Sequence, residues 1–208
     1  MRPNIITVEG HGQLQILPDL AVIRCAVSAL NRSYTEANRE MNRRTELLRQ
    51  AVADVGLEKA DLKTLDYAMT RQARHDPNTL QTEFVGYQAH HSLELRLALD
   101  RERLNRVMEA LLISEADAQV DVSFALADPE PVRARLLTAA VENARQRAEI
   151  IARAAGVRLG KIANIMKHGI TEVRIQHSAR FYNPGAPNIE AGNFSVSDNV
   201  NVTWEILE

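Results

Sequence analysis

The apolar and polar positions of this chain alternate with a period of two in several segments, which is typical of β-strands with one buried face. The clearest are 87–99, 118–126 and 194–206. Shorter segments with the same alternation lie at 5–9, 20–30, 64–71 and 161–167. One-sided strands favour an antiparallel sheet, because parallel strands covered on both faces read as continuous apolar runs.

Three segments between these strands have the apolar spacing and the end signals of helices. Each follows a residue whose side chain can cap the free N–H groups of a first turn, namely Ser33, Asp100 and Asp128. Ser33 also begins a capping-box sequence, Ser-Tyr-Thr-Glu. The first and third helices stop at glycines, Gly56 and Gly156.

The third helix has an inner stripe made largely of alanines. The predicted stripe consists of Val132, Leu136, Ala140, Ala144, Ala148, Ile151 and Ala155. Small side chains let a helix axis come close to a sheet or to another helix, so this helix is expected to be central to the fold.

The order of elements predicts an α+β fold, ββα ββα βα ββ, with a mostly antiparallel amphipathic sheet or sheets and three helices packed on one face. No linker interrupts this order, so residues 1–208 are expected to form a single domain. A loop over 169–193 precedes the last strand, and loops of this length often have a function.

Composition changes this picture little. The formal net charge of −2 argues against a nucleic-acid binder that depends on a global positive field. No apolar run approaches the length of a membrane-spanning helix, and the single cysteine, Cys25, excludes an intrachain disulfide. The first residues lack the apolar segment of a signal peptide, so the chain as written predicts no export signal and leaves the compartment open.

Motif searches predict no cofactor, no metal site and no catalytic residue. Segment 156–162 has glycines and a lysine but lacks the spacing and hydroxyl of a phosphate-binding loop. His90 and His91 are neighbours on a strand and must face opposite sides, so they cannot bind one ion together. We expect His91 to be a hydrogen-bonded core histidine and His90 a surface one. Cys25 falls on an apolar strand face, where a thiol is an inert packing group.

Five residues remain as candidates for an interaction surface or a pocket. His11, Tyr87 and His177 could line a pocket beneath the 169–193 loop, while Phe181 and Tyr182 form an aromatic pair with no evident place in the core. The alternative for His11 is structural, with glycines on both sides closing the first strand in a turn or bulge. Gly86, just before Tyr87, indicates a bulge or a close backbone approach.

Arginines recur along the third helix and just after it, interleaved with glutamates. They are Arg133, Arg135, Arg145, Arg147, Arg153 and Arg158. This pattern is typical of a solvated helix face, with an anionic partner as the alternative.

Several short segments, taken together in order and spacing, resemble the SIMPL-domain family of bacterial proteins. They are Ile6-Thr7-Val8-Glu9-Gly10-His11-Gly12, Pro18-Asp19-Leu20-Ala21, Gly86-Tyr87-Gln88-Ala89, Phe124-Ala125-Leu126-Ala127-Asp128, the alanine-rich stretch from Ala140 to Lys161, Ile189-Glu190-Ala191-Gly192, and Val196-Ser197-Asp198-Asn199-Val200-Asn201-Val202. The resemblance implies an α+β fold, a periplasmic envelope location, a link to stress defence and ring-like oligomers. It implies no catalytic residue, because none is established for the family.

Two functional hypotheses follow. The first is a non-enzymatic, stress-related binding or assembly protein of the bacterial envelope type that forms a homo-oligomer, without nucleic acid and without a membrane span. The second is a small-molecule carrier or an enzyme with a pocket under the 169–193 loop. An anionic partner on the third-helix arginines is a weaker third hypothesis.

Overall fold

The computed structural model describes residues 4–75, 82–167, 179–181 and 192–207. The elements in chain order are β1 (Ile5–Ile16), β2 (Leu20–Asn31), α1 (Tyr34–Asp54), β3 (Lys63–His75), β4 (Thr82–Ala98), α2 (Arg101–Ile113), β5 (Gln119–Ala125), α3 (Glu130–Ala154), β6 (Arg158–Met166), β7 (Ala179–Phe181) and β8 (Phe194–Leu207). A short 3₁₀ turn over Lys59–Asp61 precedes β3. The predicted α+β class is confirmed, with one strand, β7, added to the predicted order.

The strands form two antiparallel sheets, and the chain divides into two compact units. The terminal unit, made from both ends of the chain, contains the sheet β1-β8-β6 and helix α3. The central unit contains the sheet β3-β4-β2-β5-β7 and helices α1 and α2.

In the terminal unit, α3 packs on β1 and β8 through small residues on both sides. Ala140, Ala144 and Ala148 are fully buried and share a core with Val202 and Trp204. A Cβ added to Gly10 of β1 would lie 2.0 Å from the Ala140 carbonyl oxygen. The predicted role of the alanines is therefore confirmed, and a strand glycine completes the close approach.

Two details of the terminal unit differ from the prediction. The Gly10-His11-Gly12 segment does not close the first strand, because β1 continues in regular register with β8 to Ile16. The glycines are needed where the helix crosses, since a Cβ on Gly12 would lie 2.2 Å from the Leu136 carbonyl oxygen. In α3 the buried stripe continues to Ala152, whereas two predicted members of the stripe lie at the surface: Ile151 is 47% exposed, and Ala155, which follows the helix, is also exposed.

In the central unit, α1 packs on β2 and β4, and α2 lies beside α1. Ser33 caps α1 by accepting a hydrogen bond from the Glu36 N–H at 3.5 Å. The reciprocal half of the predicted capping box is replaced, because the Ser33 N–H donates to the Asn31 side chain and the Glu36 carboxylate pairs with Arg39. Asp100 caps α2 as predicted.

Candidate functional site

A row of charges of alternating sign crosses the outer face of the five-stranded sheet. The strand registers place Glu94 opposite both Lys63 and Arg24, and Arg24 opposite Asp121. The register continues from Asp121 to Arg180 of β7. Residues directly opposite each other on neighbouring strands point to the same face, so the side chains of Lys63, Glu94, Arg24 and Asp121 form one band across the sheet.

Glu94 is the centre of this band. Its carboxylate is 6% exposed and accepts hydrogen bonds from Arg24 Nε at 3.1 Å and from Arg96 Nε at 2.7 Å. Burial raises the pKa of Glu94, but the hydrogen bonds from Arg96 and Arg24 and their positive charges outweigh it, and the net pKa is lowered. Glu94 is therefore an ionised carboxylate at neutral pH.

A β-bulge in β3 shapes the surface beside this band. The register shifts between Thr64 and Asp66, which leaves Leu65 as the extra residue, with 52% of its side chain exposed. Bulges often occur at sheet edges and beside functional sites, where they redirect a side chain.

Two open depressions share Leu65 in their lining. The first has a volume of about 390 Å³ and is lined by Asp61, Lys63, Thr64, Leu65, Glu94 and Arg96. The second has a volume of about 330 Å³ and is lined by Arg24, Cys25, Ala26, Leu65, Asp66, Ser92 and Asp121. The first combines two cationic side chains with two carboxylates, and the second combines one cationic side chain, Arg24, with two carboxylates. Both include the exposed Leu65, and both suit a polar partner carrying both signs of charge.

The groups of this surface favour binding over reaction. The neighbouring Cys25 lies opposite Leu93, on the buried face of the sheet. Burial, with a smaller contribution from the charge of Asp121, raises the pKa of its thiol to about 12, which disfavours the nucleophilic thiolate. Its burial confirms the prediction that Cys25 packs on the apolar face of its strand. Glu94 is already ionised and held by two guanidinium groups, so it is poorly suited to donate a proton near neutral pH.

His91 lies on the opposite, buried face of the same sheet. It is 6% exposed, and its two ring nitrogens lie 3.0 Å from the Thr45 hydroxyl and 2.9 Å from the Thr64 hydroxyl. Burial, with smaller contributions from the charges of Arg49 and His90, lowers its pKa. The prediction of a hydrogen-bonded core histidine is confirmed, and His90 is partly exposed beside Ser92.

The predicted site residue His11 lies in the terminal unit, in the middle of β1. Its side chain is half-exposed, with Nδ1 2.8 Å from Asn199 Oδ1 and Nε2 3.9 Å from the Glu9 carboxylate. These neighbours are side chains of the same sheet face. His11 therefore belongs to a polar strand surface, and its role in a pocket stays a prediction.

The predicted site residue Tyr87 lies in the central unit, within an aromatic cluster on the β3–β4 hairpin. Its ring packs edge-on against Tyr34 at 5.6 Å and against Phe84 at 5.3 Å between centroids. The Arg71 guanidinium lies 4.9 Å from the Phe84 ring centre. The expectation for Gly86 is confirmed twice, because an added Cβ would lie 2.7 Å from the Asn31 carbonyl oxygen and the register shifts beside it.

The other three predicted residues fall at or beyond the limits of the described chain. His177 and Tyr182 lie outside the described residues, as does most of the 169–193 loop. The backbone of Phe181 pairs with Val120 as part of β7. The predicted pocket beneath this loop is therefore neither supported nor contradicted.

Sequence reasoning missed two side chains of α3 that bind the backbone of β1. Asn143 Oδ1 accepts a hydrogen bond from the His11 N–H at 3.0 Å, and Arg147 Nη1 donates one to the Glu9 carbonyl at 2.7 Å. Their spacing of four residues indicates that both lie on one helix face. The sequence does not indicate that this face binds the backbone of β1. Arg147 is thus not part of a purely solvated face.

Sequence reasoning also missed the charged band itself. The polar positions Ser92, Glu94 and Arg96 were visible as one face of a strand. Their partners on β2, β3 and β5 depend on strand register, which alternation alone does not fix.

Within the described residues, no group of histidine, cysteine, aspartate and glutamate side chains is arranged to hold a metal ion. The helices in that part of the chain include none long and apolar enough to cross a membrane.

Comparison with known proteins gives a match along nearly the whole chain. The family model SIMPL, described as a protein of unknown function (DUF541), matches residues 6–204. The 26 kDa periplasmic immunogenic protein of Brucella abortus is 26% identical over 99% of this chain and 86% of its own length. The uncharacterised protein YggE of Edwardsiella ictaluri is 21% identical over 86% of this chain and 74% of its length.

A eukaryotic relative extends the comparison. The interleukin-1 receptor-associated kinase 1-binding protein 1 homolog of Xenopus laevis is 24% identical over 97% of this chain and 79% of its length. The family match, the ordered motifs and the α+β architecture agree, and the chain belongs to the SIMPL family of proteins of unknown function.

Proposed function

We propose that this protein is a non-enzymatic binding and assembly protein of the bacterial envelope type, and that it associates with copies of itself. The observation that carries the proposal is the charged outer face of the central unit. Its central groups, Glu94, Arg24 and Arg96, have charges suited to recognition, and the one cysteine thiol, that of Cys25, is buried on the opposite face of the sheet.

Two relatives support the envelope location and the binding role separately. A relative from Brucella abortus is named as periplasmic, which supports the envelope location. A relative from Xenopus laevis is named as a kinase-binding protein, which supports a binding role for the fold. The stress-related role implied by the family resemblance stays a prediction.

Self-association is tested by sedimentation velocity on the full chain over a wide range of concentrations. We expect the mean mass to rise with concentration, because mass action drives association. A monomer at every concentration would contradict the assembly part of the proposal.

A second candidate function, a carrier of a small molecule, is favoured by the depression beside Glu94. Its volume of about 390 Å³ is within the range of small-molecule sites, and it presents Lys63 and Arg96 together with Asp61 and Glu94. These charges suit a zwitterion. Calorimetric titration with free amino acids should then give saturable heat that Arg96→Ala abolishes and the exposed control Arg39→Ala preserves. The absence of heat with every amino acid would contradict this candidate.

A further inference from the structure

Among the strands that the structure describes, four lie at the edges of the two sheets, and three of these are poorly suited to pair with another chain. Two side chains of α3 bind the backbone of β1: Asn143 accepts from the His11 N–H, and Arg147 donates to the Glu9 carbonyl. β6 has two register irregularities along nine residues, and β7 has only three residues. Covering, bulges and short length are the usual means by which proteins block edge-to-edge pairing.

The fourth edge strand, β3, is less protected. Of its two register irregularities with β4, only the bulge at Leu65 inserts a residue into β3 itself. The irregularity between Gln72 and Ala73 leaves the extra residue, Val85, on β4. Both irregularities of β6, by contrast, insert residues into β6.

Strand β3 has 13 residues, and after the bulge at Leu65 its register with β4 is regular from Asp66 to Gln72. Tyr67 is 46% exposed. β4 is the only described strand that pairs with β3, so no strand of the described part of the chain lies along the other edge of β3.

The charges on β3 specify how a second copy would fit. Asp66 and Arg74 are eight residues apart, and β3 has no inserted residue between them, because the extra residue at the second irregularity, Val85, belongs to β4. Both side chains therefore share the outer face of the strand. Neither forms an ion pair with a described residue. A two-fold axis perpendicular to the sheet keeps the outer faces of both copies on the same side. Opposed residues must then both be even-numbered or both be odd-numbered, so their numbers have an even sum.

Only one register of this kind pairs Asp66 with an arginine. With Thr70 on the axis, Asp66 of each copy lies opposite Arg74 of the other copy. This register gives two ion pairs, each between an aspartate and an arginine. A shift of the axis to Met69 places Asp66 opposite Gln72, and a shift to Arg71 places two arginines opposite each other.

We propose that β3 is the self-association edge of this protein and pairs antiparallel with β3 of a second copy, with Thr70 on the two-fold axis. The two five-stranded sheets then become one ten-stranded sheet. This inference rests on the self-association put forward as the proposed function and names its surface.

The test is a charge-swap series measured by sedimentation velocity. Asp66→Arg and Arg74→Asp each replace two attractive pairs with two repulsive ones, and each should raise the dimer Kd by about tenfold or more. The double variant Asp66→Arg/Arg74→Asp restores both pairs and should return the Kd to near the wild-type value. Because both side chains are exposed, the variants should keep the circular dichroism spectrum of the wild type.

A second measurement reports the register. Thr70→Cys places two thiols opposite each other across the axis, within reach of a disulfide, and oxidation should give a covalent dimer. Ala68→Cys is the matched control on the same face, because its two copies would be separated by four residues, or about 13 Å, and should not cross-link.

The outcomes separate this inference from the proposed function. A wild type that associates while both single reversals leave the Kd unchanged would overturn the β3 interface and leave self-association intact. Failure of the double variant to recover, or equal cross-linking of Ala68→Cys and Thr70→Cys, would overturn the register. A wild type that is monomeric at every concentration would overturn both proposals.

Discussion

His90 and His91 are neighbours in the chain and have opposite surroundings, because successive residues of a strand point to opposite faces. His91 faces the buried side, where Thr45 and Thr64 hydrogen-bond both ring nitrogens. Burial then lowers its pKa, since a charged imidazolium loses hydration in the core. The alternation of the strand predicted that His91 faces the core. It could not predict the two threonine partners, because they lie in separate elements of the chain.

The lowered pKa of His91 predicts a specific pH dependence of stability. The unfolded chain binds the proton near pH 6.5 and the folded chain only at lower pH, so acid favours the unfolded state. The contribution of His91 to the free energy of unfolding should be constant above about pH 6.5 and should fall below it, down to the folded pKa. Urea denaturation from about pH 8 to about pH 5 measures this.

The matched variant is His91→Gln, which keeps polar atoms near the threonines and does not titrate. The stability advantage of the wild type over the variant should shrink as the pH falls through this range. An advantage that stays the same at every pH would show that His91 does not contribute through its protonation.

At the scale of elements, the contact between α3 and β1 is the least tolerant in the terminal unit. Gly10 lies against the Ala140 carbonyl and Ala144, with no room for a methyl group. The sequence pattern singled out the alanine stripe and the glycines of β1 separately. Neither segment indicated that Gly10 packs against Ala140 and Ala144. The predicted stripe was wrong at Ile151 because the buried positions follow the four-residue ridge to Ala152.

Gly10→Ala should therefore destabilise the protein by about 1–3 kcal/mol or more, because either the strand or the helix must move. Ala144→Leu should cost a similar amount for the same reason. Gly192→Ala is the control, since an added Cβ there meets nothing within 4 Å. Thermal and urea unfolding measure the difference, and a Gly10→Ala variant as stable as Gly192→Ala would contradict the close packing.

At the scale of the whole molecule, the two units differ in how the chain builds them. The terminal unit joins β1 to β8 and α3, so both chain ends are needed to complete it. The central unit consists mainly of the continuous segment from β2 to β5. The sequence predicted one domain because no linker separates the elements, and that prediction is open to a direct measurement.

A single domain predicts that both units unfold together. Trp204, the only tryptophan, is buried in the terminal unit, so its fluorescence reports the unfolding of that unit. Hydrogen exchange of the β2 and β4 amides reports the central unit. The two probes should give the same free energy of unfolding and should shift equally in Gly10→Ala. Separate values, with only the tryptophan signal shifted, would show two independently unfolding domains.

The sequence by itself determined the local features of this protein: strand alternation, the helix caps at Ser33 and Asp100, and the buried position of Cys25. These follow from interactions within a few residues or from the side-chain period of one element. Tertiary structure alone decided which residues meet: Arg24 and Arg96 contact Glu94, and Asn143 and Arg147 bind the edge of β1. It also decided that β3 lies at an edge of its sheet among the described strands. Most of these contacts join residues far apart in the chain, and their meeting depends on strand register and helix position, which local patterns do not specify.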